Sequence, residues 1–231
     1  ISKLEWYPFN IISARDDNLV LLNIKANGSW PKKIYKRTIR MLNESSIDKL
    51  SIRIDGPYGS SSDKILSTEN VIIVAAGTGV SKFASILQDI AYRERNNSII
   101  SKVKNLYFVW LSDNDFYLEW FKKLLQELEK DFKLDYFDYH IFFIDRVAAQ
   151  LPKSMLYVSK DLYSDNFNID LVSHSKNKSS TGYPNWDSEL NMIRSKYNDQ
   201  KCRLFYSGPK NLRKELTMAC KRQDIDFNSE S

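Results

Sequence analysis

A chain of 231 residues with 42% hydrophobic side chains can bury one large core or two modest ones, and reads as a globular protein of two parts. No run of about 18 apolar residues is present, which excludes a bilayer-crossing helix, and no charged, apolar and small-residue leader suggests secretion. The net charge of +5 favours phosphate-bearing ligands or an anionic surface without choosing between them.

Cys202 and Cys220, the only cysteines, are too few for a disulfide framework or a thiolate zinc site, and point to a reducing compartment. His140 and His174 lie far apart without a ligand-like cluster, so no metal is expected.

In chain order, residues 1–66 alternate in short runs: WYPFNIIS, NLVLLNIKA, a helix-like IYKRTIRML and LSIRIDGPYG. They predict strands and one helix from an antiparallel β-barrel that lacks its first strands, so residue 1 is expected to fall inside a domain. The helix carries the densest basic stretch: Lys32, Lys33, Lys36, Arg37 and Arg40. At helical spacing Lys32, Lys36 and Arg40 share a face, which suits solvent, lipid headgroups or an acidic partner. No nucleic-acid recognition motif accompanies the charge, and no nucleic-acid partner is expected.

From Glu69 onward the pattern becomes strand, helix, strand, helix. VIIVAA precedes SKFASILQDIAYRER, NLYFVWL precedes DFYLEWFKKLLQELEK, YHIFFI follows, and CRLFYSG links NWDSELNMIRSKY to NLRKELTMACKRQ. Residues 67–231 therefore predict an α/β, doubly wound parallel sheet, with a flexible polar loop near 148–183. Trp120 and Phe121 stand at core spacing with Leu124, Leu125 and Leu128, so packing is their expected role, and Trp186 is expected to anchor the helix it opens.

The first strand of this part ends in Gly77, Thr78 and Gly79 before its helix begins. Free N–H groups at the helix start and two residues without side chains suit a phosphate, although any tight strand-to-helix turn can use glycines. Its place as the first turn of a parallel sheet favours a nucleotide, since ligands bind at the carboxyl ends of such strands.

Seven short stretches in this order resemble the dehydrogenase region of the NADPH oxidase and ferric reductase family, within the ferredoxin reductase-like flavoproteins. YPFNI is similar to the family's HPFTI flavin motif and NGSWPKKIY to its G-x-W-T segment. Then follow DGPYG, the AGTG turn, FVWLSDNDFYLEWF, GYPNW, and FYSGP in place of F-x-C-G-P. The resemblance implies a module at the cytosolic face of a membrane that passes hydride from NADPH or NADH to FAD. Electrons then go to a heme-bearing membrane domain in the same or another chain, with a protein complex a further possibility. It implies flavin contacts at Tyr7, Pro8, Phe9, Asn10, Gly28 and Trp30. It implies nucleotide contacts at Gly77, Thr78, Gly79, Ser207, Gly208 and Pro209, with Asp113 choosing the cofactor. No acid–base catalytic residue is required, because the cofactors carry the redox step.

Departures from the pattern fall on these contacts. Tyr7 replaces a histidine, Asn10 a threonine, Pro31 a threonine beside the flavin pyrophosphate, and Lys82 a proline after the glycine turn. Asp113 and Tyr183 stand where the family places arginines, and a carboxylate at Asp113 repels a 2′-phosphate while accepting from a ribose hydroxyl, which favours NADH. Two readings follow: an oxidoreductase that has changed its nucleotide, or a degenerate structural subunit that keeps the fold and has lost its cofactors.

Overall fold

The computed structural model describes residues 6–13, 18–24, 26, 28–46, 53–56, 58, 62–96, 102–112, 121, 124–125, 128, 137–144 and 179–229. Two helices come first, α1 (Ser29–Asn43) and α2 (Ser62–Leu66). They are followed by β1 (Asn70–Ala76), α3 (Ser81–Arg95), β2 (Asn105–Ser112), β3 (Phe137–Phe143), β4 (Ser179–Thr181), α4 (Trp186–Lys196), β5 (Arg203–Ser207), α5 (Lys210–Arg222) and β6 (Asp226–Ser229).

All seven residues of β1 are buried. Successive side chains of a strand point to opposite faces, so a strand can be apolar throughout only where both faces are covered. β1 meets that condition at the centre of six parallel strands ordered β4-β3-β2-β1-β5-β6. Val71, Ile73 and Ala75 pack on one face against Phe83, Leu87 and Ile90 of α3. Phe121, Leu124, Leu125 and Leu128, the described residues of the helix expected at 115–130, join that face at the anticipated spacing. Trp120 lies outside the described residues. Ile72 and Val74 face the other way, onto Trp186, Leu190 and Ile193 of α4 and Leu212 and Leu216 of α5.

The two-layer burial makes the expected doubly wound α/β sheet, with strand boundaries within two residues of those expected. Trp186, 3% exposed, anchors the start of α4 as expected, and Asn185 caps that helix by accepting from the Ser188 N–H at 3.1 Å. β4 differs from expectation: the end of the supposed flexible loop forms a parallel edge strand on β3. Its polar Ser-Ser-Thr composition hides it from any apolar pattern, because the ladder and one side-chain bond hold it. His140 Nε2 lies 2.9 Å from Ser180 Oγ, and His140 Nδ1 lies 3.0 Å from Glu189 Oε1 on α4. Residues 148–178 of that loop lie outside the described residues. β6 and α2 were not expected either; β6 is short and half-buried throughout, so it carries no alternation to read.

Of the antiparallel sheet expected in residues 1–66, the described residues hold one bridge, Ile11 with Leu22, and the Ile12 N–H donates to Leu21 O at 2.9 Å. Ile12 is buried in the α3 side of the core, and Gln88 of α3 donates to its carbonyl at 2.9 Å. The N-terminal segment thus rests on the helix that follows the glycine turn.

Phe108 of β2 is fully buried, with its ring 5.3 Å from that of Phe121. Phe108→Ala is expected to lower stability by about 3–5 kcal/mol, read as a fall in the urea midpoint without a change in slope.

Candidate functional site

The chain leaves β1 towards β2 on one side and returns to β5 on the other, so the switch point of the sheet lies between the carboxyl ends of β1 and β5. Two segments meet there. After β1, Gly77–Val80 forms a single 3-10 turn before α3; after β5 come Gly208 and Pro209. Gly77 has φ 53°, a conformation that favours glycine. Gly79 is required for a different reason: a Cβ there would lie 2.3 Å from the Ser207 carbonyl oxygen and 2.8 Å from its carbon. A Cβ on Gly208 would meet the Tyr206 hydroxyl at 2.5 Å and Ala76 Cβ at 2.8 Å. Of the residues expected to contact the nucleotide, Gly77, Thr78, Gly79, Ser207, Gly208 and Pro209 are therefore brought together at the crevice. Asp113 lies outside the described residues.

Three groups that hold this crevice, Trp110, Ser81 and Tyr206, were missed as site residues, and Asn10, expected at the flavin, joins them. Trp110, opposite Ala75 in the sheet, donates its indole N–H to Gly77 O at 3.2 Å. Ser81 Oγ donates to Thr78 O at 2.8 Å, and the Tyr206 hydroxyl donates to Pro209 O at 2.8 Å. Asn10 Nδ2 then donates to Ser81 Oγ at 3.3 Å, which ties the expected flavin segment to the glycine turn. A serine opening a helix is the one signal of this set available in sequence. Trp110 and Tyr206 read only as core.

The expected flavin residues also converge. Trp30, in the first turn of α1, stacks with Tyr7 at 4.6 Å and with Phe9 at 5.6 Å between ring centroids. Pro8 between them is exposed. Gly28, at φ 89°, precedes α1 without a side-chain cap, and the first turn of α1 holds no acid. Pro31 is the third helical residue. It loses no helical bond even so, since the N–H groups of a first turn have no partner within their own helix. Trp30 Nε1 is buried and has no hydrogen-bond partner.

An uncapped helix start, an acid-free first turn and an orphaned indole N–H fit a phosphate-containing cofactor at α1. The glycine turn before α3 fits a second. Lys82 is half-buried on α3, and Tyr183 is 68% exposed beyond β4. The cysteines are remote from this chemistry: burial pushes the Cys220 thiol up to about 12 and raises Cys202 as well, so neither is a thiolate nucleophile at neutral pH.

Two adjoining cradles define the class, a module for two nucleotide-type cofactors. A family model described as the ferric reductase NAD binding domain matches residues 68–221, and one described as an FAD-binding domain matches residues 1–62. The chain belongs to the family of the ferric reductase NAD binding domain, and its cofactors are FAD and a pyridine nucleotide.

Among curated proteins it is similar to NADPH oxidase 1 of Mus musculus, with 30% identity over 96% of this chain and 36% of the relative. It is similar also to NADPH oxidase 3 of Homo sapiens, with 30% identity over 95% of this chain and 39% of that protein. The chain thus spans less than half the length of these relatives. Among solved structures it resembles the ferredoxin-NADP+ reductase from Plasmodium falciparum, with TM-score 0.45 and 16% identity over 96% of this chain and 76% of that one.

Gly79→Ala places a carbon inside the Ser207 peptide and is expected to lower stability by about 1–3 kcal/mol, because the turn and β5 must separate. The urea midpoint checks this, and an unchanged midpoint contradicts the close approach. Both thiols are expected to stay inert to Ellman's reagent in the native protein and to react on unfolding.

Proposed function

We propose that this chain is the cofactor-binding module of an oxidoreductase that takes hydride from NADH or NADPH and passes electrons to a heme-bearing membrane domain. That domain belongs to the same or another chain, and the module works at the cytosolic face of the membrane. The observation that carries the proposal is the chain of hydrogen bonds from Asn10 through Ser81 to Thr78, which makes the two cradles one site. A cofactor-free scaffold has no need of a link between two places where cofactors would lie.

Residues 1–66 form the flavin domain and residues 67–231 the nucleotide domain. Gly77, Thr78 and Gly79 offer backbone N–H groups and a surface without side chains to the nucleotide pyrophosphate. Ser207, Gly208 and Pro209 bound the opposite wall, where the Ser207 hydroxyl is a donor and acceptor for the nicotinamide end. Gly28 lets the backbone turn into α1, whose first N–H groups and the Trp30 indole N–H serve the flavin phosphates. Tyr7, Pro8 and Phe9 supply apolar surface that excludes water from the flavin, and Asn10 holds that segment against α3. When bound, FAD accepts a hydride from the reduced nicotinamide and releases electrons one at a time. Asp113, as a carboxylate after β2, selects the nucleotide lacking a 2′-phosphate.

Calorimetric titration of the chain with NADH and NADPH, with FAD present, tests the reading. NADH is expected to bind at least roughly tenfold tighter than NADPH, and Asp113→Arg to narrow or reverse the gap. Absence of binding by either nucleotide, together with protein that takes up no FAD, overturns the proposal in favour of the scaffold.

A further inference from the structure

Helix α1 presents a face that neither the core nor the proposed cofactor site uses. Its 15 residues include Lys32, Lys33, Lys36, Arg37 and Arg40, and no acid. All five are exposed, and none makes an ion pair among the described residues. The acid nearest in sequence is Glu44, exposed at the C-cap.

Three large apolar side chains stand beside this charge. Tyr35, Ile39 and Leu42 are 57%, 41% and 53% exposed, although they follow the i, i+4, i+7 spacing of a packed stripe. They are not the helix's own packing face: the buried and half-buried positions are Trp30, Pro31, Ile34, Thr38 and Met41, a separate stripe on the neighbouring side. Lys32 and Lys36 precede Tyr35 and Ile39 by three residues, so a cation borders two of the three apolar side chains.

From this arrangement we infer that α1 docks on an anionic lipid surface. Charge alone would suit solvent or an acidic partner, whereas the apolar row beside it calls for a surface that is anionic and apolar at once. A row of Tyr, Ile and Leu bordered by Lys and Arg matches the boundary between acyl chains and charged headgroups, where the apolar side chains enter and the cations stay with the phosphates. The partner is therefore the membrane itself, in addition to any protein domain within it. Contact through α1 would set the module's orientation, since Trp30 in the first turn of the same helix belongs to the flavin cradle.

Flotation of the chain with vesicles tests this without flavin or nucleotide, so it stands or falls apart from the oxidoreductase reading. Binding is expected to vesicles of phosphatidylcholine mixed with phosphatidylserine, to weaken at high salt, and to be absent with phosphatidylcholine alone. Replacing Lys32, Lys36 and Arg40 together by Gln is expected to weaken it roughly a hundredfold. Replacing Tyr35, Ile39 and Leu42 by Ser should weaken it at low and high salt alike. All six positions are exposed, and a thermal melt of each variant checks that the fold persists. Failure to bind anionic vesicles overturns the inference, as does binding that both variants leave unchanged. Binding that only the Gln variant loses, matched by equal binding to polyglutamate, assigns the face to an acidic protein and overturns it as well.

Discussion

The carboxyl ends of β1 and β5 approach so closely that no side-chain carbon fits between them. Gly79 lies against the Ser207 peptide and Gly208 against Ala76 and the Tyr206 ring, and the rest of the site takes its position from this contact. The contact exists because both strands are buried and pair in register, Val71 with Arg203 through Ala75 with Ser207. A glycine turn is usually valued for what it offers a ligand. Here Gly79 is required first by the protein's own backbone, and the space a phosphate needs is a consequence of that packing.

Around the contact, the hydrogen bonds serve to fix backbone carbonyls. The indole of Trp110, the hydroxyl of Ser81 and the hydroxyl of Tyr206 each bind a carbonyl of the two crevice segments. Carbonyls held in this way are already satisfied by the protein, so they do not need a ligand as partner. The buried polar chain at the other edge works similarly: Glu189 orients His140, and His140 holds Ser180. The Tyr107 hydroxyl joins Glu189 at 3.5 Å, and burial together with that carboxylate raises its pKa, so it remains a donor.

How much of this was legible varies with the kind of signal. The β1, α3, β2, β5 and α5 segments announce themselves because fully buried strands are β-branched runs and their helices repeat at the period of one face. The glycine turn was legible as a turn. Its partner Ser207 was legible only through resemblance, because nothing in a single sequence says which distant residue a glycine packs against. β4 was illegible, since it is held by its ladder with β3 and the bond between Ser180 and His140 rather than by apolar alternation. Asn10 gives the clearest case: substitution for a threonine reads as a weakened flavin contact, whereas in the fold its amide reaches Ser81 and couples two segments far apart in the chain.

The sheet order has a kinetic side. β1 pairs with β2 across a short connection but with β5 across most of the domain, so the β1–β2 pairing is a local event and the β1–β5 pairing closes a very long loop. Loop closure of that length carries an entropic penalty that must be met before the contacts it allows are made, which places β5 late in folding. The crevice, which needs both strands, therefore exists only once that long loop has closed. A chain emerging from synthesis has its glycine turn long before it has the wall opposite, and no nucleotide can assist folding until both are in place.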